Sequence, residues 1–286
     1  MMSSSLAQNR APVSATPEGA QRPLTIAVTS GKGGVGKSQL VTSLAIELSR
    51  ERKKVLLVDA DVGCGNLDVL LNVAPERDLR AVLRGEATPE EVLSTATFDD
   101  FTLPFLPAPT ATREGSELAA GEQLAMVDAV DAVGGGFDVV LVDTGAGVSR
   151  NPMLFGAAAD RVLVITTPEP TAIRDAYAAI KVLHQAHGVD RVELVVNQAA
   201  GLRDGKRTYA RLTSVVERFL PVQVGLLGVL PTDDRVVRSV RARQPASFAY
   251  PASNYAQAVR QLVPRVLTPV VGRSAGGVRF FARSGG

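Results

Sequence analysis

Between residues 31 and 38 the chain reads Gly31-Lys32-Gly33-Gly34-Val35-Gly36-Lys37-Ser38. The spacing is G-x-x-x-x-G-K-[ST], set between an apolar run and a helical pattern, which is the context a phosphate-binding loop requires. Closely spaced glycines let the backbone curl until several N–H groups face one phosphate. The helix that follows adds its positive end. Lys37 is placed to reach the outer phosphates of a nucleotide, and Ser38 to offer a hydroxyl to Mg²⁺. Gly33, Gly34, Val35, Gly36 and Gln39 complete the expected phosphate lining. Lys32 has no packing duty so early in the loop. It is either a solvated lysine or a cation delivered to a phosphate in a neighbouring subunit, as an arginine finger is.

Carboxylates recur where apolar runs end. Val58-Asp59-Ala60-Asp61 follows one run. A carboxylate beside a triphosphate repels it unless metal or water intervenes, so Asp59 is expected to hold Mg²⁺ through water and Asp61 to orient an attacking water. Either residue could instead cap a helix. Asp143 ends another run and precedes Thr144-Gly145-Ala146-Gly147, a fixed metal-side aspartate followed by a glycine-bearing segment able to move. Its plainer role is a turn cap. Asn197 ends a later run, and its amide can donate and accept at once, as an adenine edge demands. Pro231 and Asp233, in Pro231-Thr232-Asp233-Asp234, are placed to close over that base. Asn and Asp are also common at such turns.

These residues need a scaffold that brings run ends together. Residues 24–29, 55–58, 139–142, 162–166, 194–196 and 225–230 are short, apolar and rich in β-branched residues, with helical patterns between them, such as residues 171–184 and 207–219. Uninterrupted apolar strands are buried on both faces, and helix-length connections make their pairing parallel. The expected fold is α/β, a doubly wound and mostly parallel sheet, whose ligands bind at the carboxyl ends of the strands. Gly188 is expected to cap the helix that starts near Thr171, with His184 and His187 at the surface near its end. Regularity fades after Pro264. The expected organisation is a tail over residues 1–22, one nucleotide-binding domain over 23–268, and a Gly- and Arg-rich tail over 269–286.

Composition sets outer limits. The chain has 286 residues, 45% hydrophobic and 21% charged, enough to bury a core without disulfides or a structural metal. Cys64 is the only cysteine, so neither an internal disulfide nor a cysteine-rich zinc site is available, and a reducing cytoplasm is expected. The N-terminal residues lack the apolar core of a secretory signal, and no apolar run is long enough to span a bilayer. A formal charge of +2 implies no polyanionic partner. Arg235, Arg238 and Arg241 share a helix face near Arg243. That cluster suits a solvated or partner-binding face better than DNA phosphates.

With the Lys32-bearing loop, the Asp59–Asp61 segment and the Asp143 switch taken together, residues 23–267 resemble the MinD/ParA family of deviant-Walker P-loop ATPases, which have the SIMIBI fold. Further motifs are similar to the branch of flagellar-number regulators typified by FlhG. They are Asp61-Val62-Gly63-Cys64-Gly65-Asn66-Leu67-Asp68, Asp143-Thr144-Gly145-Ala146-Gly147, Thr166-Thr167-Pro168-Glu169-Pro170-Thr171, Asp175-Ala176-Tyr177, Val195-Val196-Asn197-Gln198 and Leu230-Pro231-Thr232-Asp233. The resemblance implies an ATP-driven homodimer in which Lys32 crosses to the partner's phosphates, Asp61 positions water, and slow, partner-stimulated hydrolysis releases the dimer. It implies a flagellar GTPase or a switch (C-ring) component as protein partner, and peripheral contact with the inner face of the membrane. Such regulators often carry an N-terminal Asp-Gln-Ala…Leu-Arg element, where this chain has Ala7-Gln8-Asn9-Arg10. They also end in an amphipathic membrane helix, whose beginning Gly276-Gly277-Val278-Arg279-Phe280-Phe281-Ala282-Arg283 resembles. A DNA-partition ATPase and a nucleotide-bound scaffold that hardly hydrolyses are the competing readings. An iron–sulfur ATPase is excluded, because one cysteine per subunit cannot supply a four-cysteine cluster across a dimer.

Overall fold

Runs of Val, Ile and Leu are stable as strands only where both faces are covered, and six such runs form the centre of this molecule. The computed structural model describes residues 22–111, 118–269 and 278–282. β1 (Leu24–Ser30) leads through α1 (Lys37–Arg50) to β2 (Val55–Ala60). Three short helices follow, α2 (Leu67–Leu71), α3 (Leu79–Leu83) and α4 (Pro89–Val92). Next come β3 (Ser94–Phe98), β4 (Phe101–Leu106), α5 (Ala120–Gly134) and β5 (Val139–Ala146). The second half runs α6 (Arg150–Ala158), β6 (Arg161–Thr166), α7 (Pro170–His187), β7 (Arg191–Ala199), α8 (Leu202–Phe219) and β8 (Gln223–Pro231). It closes with α9 (Asp234–Arg241), α10 (Ala246–Ala249) and α11 (Asn254–Leu267).

The eight strands order as β3-β4-β2-β5-β1-β6-β7-β8. Every pairing is parallel except β3 with β4. From β1 the chain winds outward to β2, and after β5 it winds the other way to β6, β7 and β8. Right-handed crossovers in opposite directions place helices on opposite faces. One face buries Leu40, Val41, Leu44 and Leu48 of α1 with Tyr255, Val259 and Leu262 of α11. The other is covered by α5 and α6 and by α7 and α8. This is the doubly wound sheet expected from the residue pattern. β8 is one edge, and two of its carbonyls are occupied by side chains: the Tyr209 hydroxyl donates to Val224 and the Arg265 guanidinium to Leu227.

The hairpin β3–β4 is absent from the apolar pattern for a physical reason. Its residues alternate between buried and exposed, and β4 carries Pro104, which pairs with Thr95 of β3 just outside the short ladder of β4 with β2. Phe98 and Phe101, paired across the turn, stack with ring centroids 5.4 Å apart. Helix α11 also departs from the expected fade after Pro264, continuing to Leu267. Arg161, itself buried, donates to the carbonyls of Arg265, Val266 and Thr268 and so satisfies the end of the helix. His184 and His187 fall in the last turn of α7, half-buried, and Gly188 takes the left-handed cap at φ 67°.

Residues 278–282, expected within a flexible tail, pack against the domain instead. Phe280 is buried against α5 and α6, and its N–H donates to the Ala158 carbonyl. The Phe281 N–H donates to both carboxylate oxygens of Asp131, at 2.8 and 2.9 Å. A Cβ at Gly134 would come 2.3 Å from the Phe281 ring, so the glycine makes the seat. Arg22 binds the Phe280 carbonyl and Asp160 together. The sequence element Ala7-Gln8-Asn9-Arg10 and most of the expected tails lie outside the described residues. Phe280→Ala is expected to cost about 1–3 kcal/mol, below the usual 3–5 for a core phenylalanine because so short a segment can detach. Urea denaturation measures it; an unchanged midpoint would mean the segment contributes nothing to the fold.

Candidate functional site

The site lies at the carboxyl ends of β1, β2 and β5. The loop after β1 needs glycine at particular points. A Cβ at Gly31 would fall 1.8 Å from the Asp175 carbonyl oxygen of α7, so only glycine lets the loop start there. Gly34 and Gly36 have φ of 77° and 96°, the left-handed region that other residues resist. The Ser30 hydroxyl donates to the Lys32 carbonyl at 2.8 Å, tightening the curl. Helix α1 begins at Lys37 with Gly36 as its cap and no side-chain capping bond, which leaves its first N–H groups available to an anion.

Register brings the aspartates to the same place. Asp59 and Asp143 are Cα partners on adjacent parallel strands, and both are buried. Burial raises the pKa of each. Asp143 raises Asp59 further, whereas the Lys37 ammonium and a bond from the Ser38 hydroxyl draw Asp143 down. Asp59 accepts from three backbone N–H groups, those of Asp61, Asn66 and Leu67, so it also caps the start of α2. Asp143 keeps one carboxylate oxygen with no hydrogen-bond partner. Asp61 is half-buried; burial raises its pKa and the Lys37 charge lowers it. Its carboxylate lies against Gly145, where a Cβ would come within 3.0 Å. Lys37 is only 8% exposed. One ammonium, one hydroxyl and three carboxylates thus share a corner of low dielectric.

That corner fits a divalent cation. The unpaired oxygen of Asp143, the Ser38 hydroxyl and the excess of buried carboxylate are its natural donors. Among the described residues no group of three or more His, Cys, Asp or Glu side chains could enclose a metal. A Mg²⁺ ion is bound by one or two carboxylates together with water and phosphate oxygens, and Asp143 with Ser38 could supply the protein's share.

Other residues singled out in the sequence are placed differently. Lys32 points outward, its Nζ 2.7 Å from Glu169 and 3.4 Å from the Thr171 hydroxyl at the start of α7. The Gln39 side chain turns to the opposite side, accepting from the Ala246 N–H of α10. Asn197 is buried, and its amide donates to the Val35 carbonyl at 2.8 Å. Asp233 caps α9 by accepting from the Arg235 N–H and also accepts from the Tyr255 N–H. Pro231 ends β8, paired with Ala199 of β7. Glu169 and Asn66 lie within sequence motifs that assign them no contact at the site, and Gly145 reads only as part of a segment able to move.

Residues 23–267 match the ParA family model, described as the NUBPL iron-transfer P-loop NTPase. The chain belongs to the ParA family of P-loop NTPases. It is 35% identical over 257 residues to the antiactivator FleN of Pseudomonas aeruginosa, a match covering 90% of this chain and 91% of that protein. It is 33% identical over 238 residues to the flagellum site-determining protein YlxH of Helicobacter pylori, covering 83% and 79%. In structure it is similar to the septum site-determining protein MinD of Pyrococcus horikoshii complexed with Mg-ADP, with a TM-score of 0.68, 23% identity and coverage of 86% and 96%. The MinD/ParA resemblance, with FlhG-type regulators among the relatives, therefore holds across the domain. The iron transfer in the family description has no cysteine set here, since Cys64 is the sole cysteine. No helix among the described residues is long and apolar enough to cross a membrane.

The buried carboxylates make a test. Folded-state pKa values raised above the unfolded value mean that the native state holds extra protons. The stability these groups allow is whole at low pH and is lost as pH rises through the raised values. Asp143→Asn is therefore expected to stabilise the nucleotide-free protein at pH 8 by on the order of 1–2 kcal/mol. The gain should shrink toward pH 5. Urea denaturation at both pH values checks it, and a variant weaker than wild type at pH 8 would contradict the charge assignment.

Proposed function

We propose that this chain is an ATP-dependent dimerisation switch that hydrolyses ATP slowly and regulates flagellar number or placement. The observation that carries the flagellar part is the near full-length similarity to FleN and YlxH. The catalytic part is supported by family membership and by the corner formed by Lys37, Ser38, Asp59, Asp61 and Asp143.

In this reading the N–H groups of residues 33–38 bind the phosphates and the Lys37 ammonium holds the outer two. Ser38 and Asp143 would hold Mg²⁺, with Asp59 acting through its water shell; the ion, when bound, neutralises phosphate charge. Asp61, set against Gly145 and held near Lys37, orients the water that attacks the terminal phosphorus. As that bond forms, the bond to the β–γ bridging oxygen breaks, leaving ADP and phosphate. Lys32 of each copy leaves Glu169 to reach the phosphates of the other, so the free chain keeps this cation on an exposed and therefore weak ion pair. Pro231 and Asp233 flank the base. The protein partner is a flagellar GTPase or a switch component, the site of action is cytoplasmic, and any membrane contact is peripheral. A ParA-type role on nucleoid DNA is favoured by one feature only, the exposed Arg235, Arg238 and Arg241 of α9.

Lys37→Ala is expected to weaken ATP binding at least a hundredfold, because an ammonium is lost from a water-poor phosphate site. Asp61→Ala should still bind ATP, run as a dimer with ATP and a monomer with ADP, and release little phosphate. Calorimetry, light scattering and a phosphate assay measure these. Asp61→Ala hydrolysing at the wild-type rate would remove its catalytic role. Salt-sensitive binding of the ATP form to random duplex DNA, with flagellar number unaltered by loss of the protein, would move the reading to partition.

A further inference from the structure

The end of β7 offers an amide suited to an adenine edge, yet the Asn197 side chain is engaged with the phosphate loop. Its Nδ2 donates to the Val35 carbonyl at 2.8 Å across 162 residues of sequence. Only the nitrogen end of the amide can donate to a carbonyl, so this contact fixes the orientation of the side chain. Asn197 is 5% exposed and Val35 3%, so water does not compete for the bond. The approach is close enough that a Cβ on Gly36 would lie 2.4 Å from Nδ2.

What the bond holds is one peptide plane. The Val35 carbonyl and the Gly36 N–H belong to the same unit, and the described residues include no cis peptide. In a trans peptide the carbonyl and N–H point in opposite directions. Pinning the carbonyl toward β7 therefore aims the Gly36 N–H away from β7. Gly36 has φ of 96°, and a glycine passes between positive and negative φ with little resistance. Without a tether this peptide is free to turn over, and a reversed plane presents a carbonyl oxygen, not an N–H, to a phosphate. A single reversed plane replaces an attractive dipole with a repulsive one at a site that works through fixed dipoles.

We propose that Asn197 is a positioning residue for the phosphates, tethering the Val35 carbonyl so that the Gly36 N–H faces the triphosphate tail whatever base is attached. The inference rests on the loop binding nucleotide phosphates and adds a base-independent duty for a strand-end amide. The loop is then preset in the absence of nucleotide, and Asn197 contributes to affinity for the tail as well as to any recognition of the base.

The test compares ATP with inorganic tripolyphosphate, which has no base, each with magnesium, by calorimetry on the full chain. Wild type should bind both. Asn197→Ala should weaken both by the same factor, about tenfold, the worth of one buried neutral hydrogen bond. The melting temperature of the nucleotide-free variant reports whether it folds. Asn197→Asp keeps the shape but sets an acceptor against the carbonyl, and should weaken both ligands more than Asn197→Ala does. Loss of ATP binding with tripolyphosphate unchanged would overturn the proposal in favour of base reading alone. So would unaltered binding of both ligands, or a wild type that takes ATP but ignores tripolyphosphate. A wild type that binds neither ligand would defeat the reading of the loop itself, which separates the two failures.

Discussion

Parallel pairing of β2 with β5 sets Asp59 beside Asp143, and the flanking helices bury both. Two carboxylates buried as neighbours resist being ionised together, and each raises the cost of the other. The surroundings are arranged to contain that cost. Three backbone N–H groups converge on Asp59, and Lys37 and Ser38 attend Asp143. The leftover acceptor on Asp143 and the surplus negative charge are what a magnesium–nucleotide complex would complete. The buried carboxylates are thus held in a tense electrostatic state that a bound cation would relieve, a usual trade of stability for function.

Much of this was legible in the residues. Six strands could be read because parallel strands covered on both faces are written as unbroken apolar runs, and the helix ending at Gly188 because a left-handed cap demands glycine. The hairpin of residues 94–106 was not, since its strands alternate buried with exposed residues and one of them carries a proline. Phe280 was unreadable for another reason. Its burial depends on a seat made by Gly134 and Asp131, far away in sequence, and its local setting of glycine and arginine looks like a tail.

Within the site, residue type proved a better guide to neighbourhood than to side-chain direction. Lys37, Ser38, Asp59, Asp61 and Asp143 all converge, because strand ends in a parallel sheet share one rim. Gln39 sits in the same stretch yet its side chain turns to α10, since successive positions on a helix face different ways. Lys32 and Asn197 are both at the rim, but each is tied to a partner that motif spacing does not pair with it. Spacing encodes the backbone path; partners such as Glu169 and the Val35 carbonyl follow from packing.

The loop after β1 takes several of its contacts from one side of the sheet. Gly31 rests on the carbonyl of Asp175, Lys32 reaches Glu169, and Val35 hangs from Asn197, so its holdfasts belong to α7 and β7. The acidic residues stand across β1, on the β2 and β5 half of the sheet. A nucleotide seated there would bridge the rim of one continuous sheet, touching holdfasts on the α7 and β7 side and carboxylates on the β2 and β5 side.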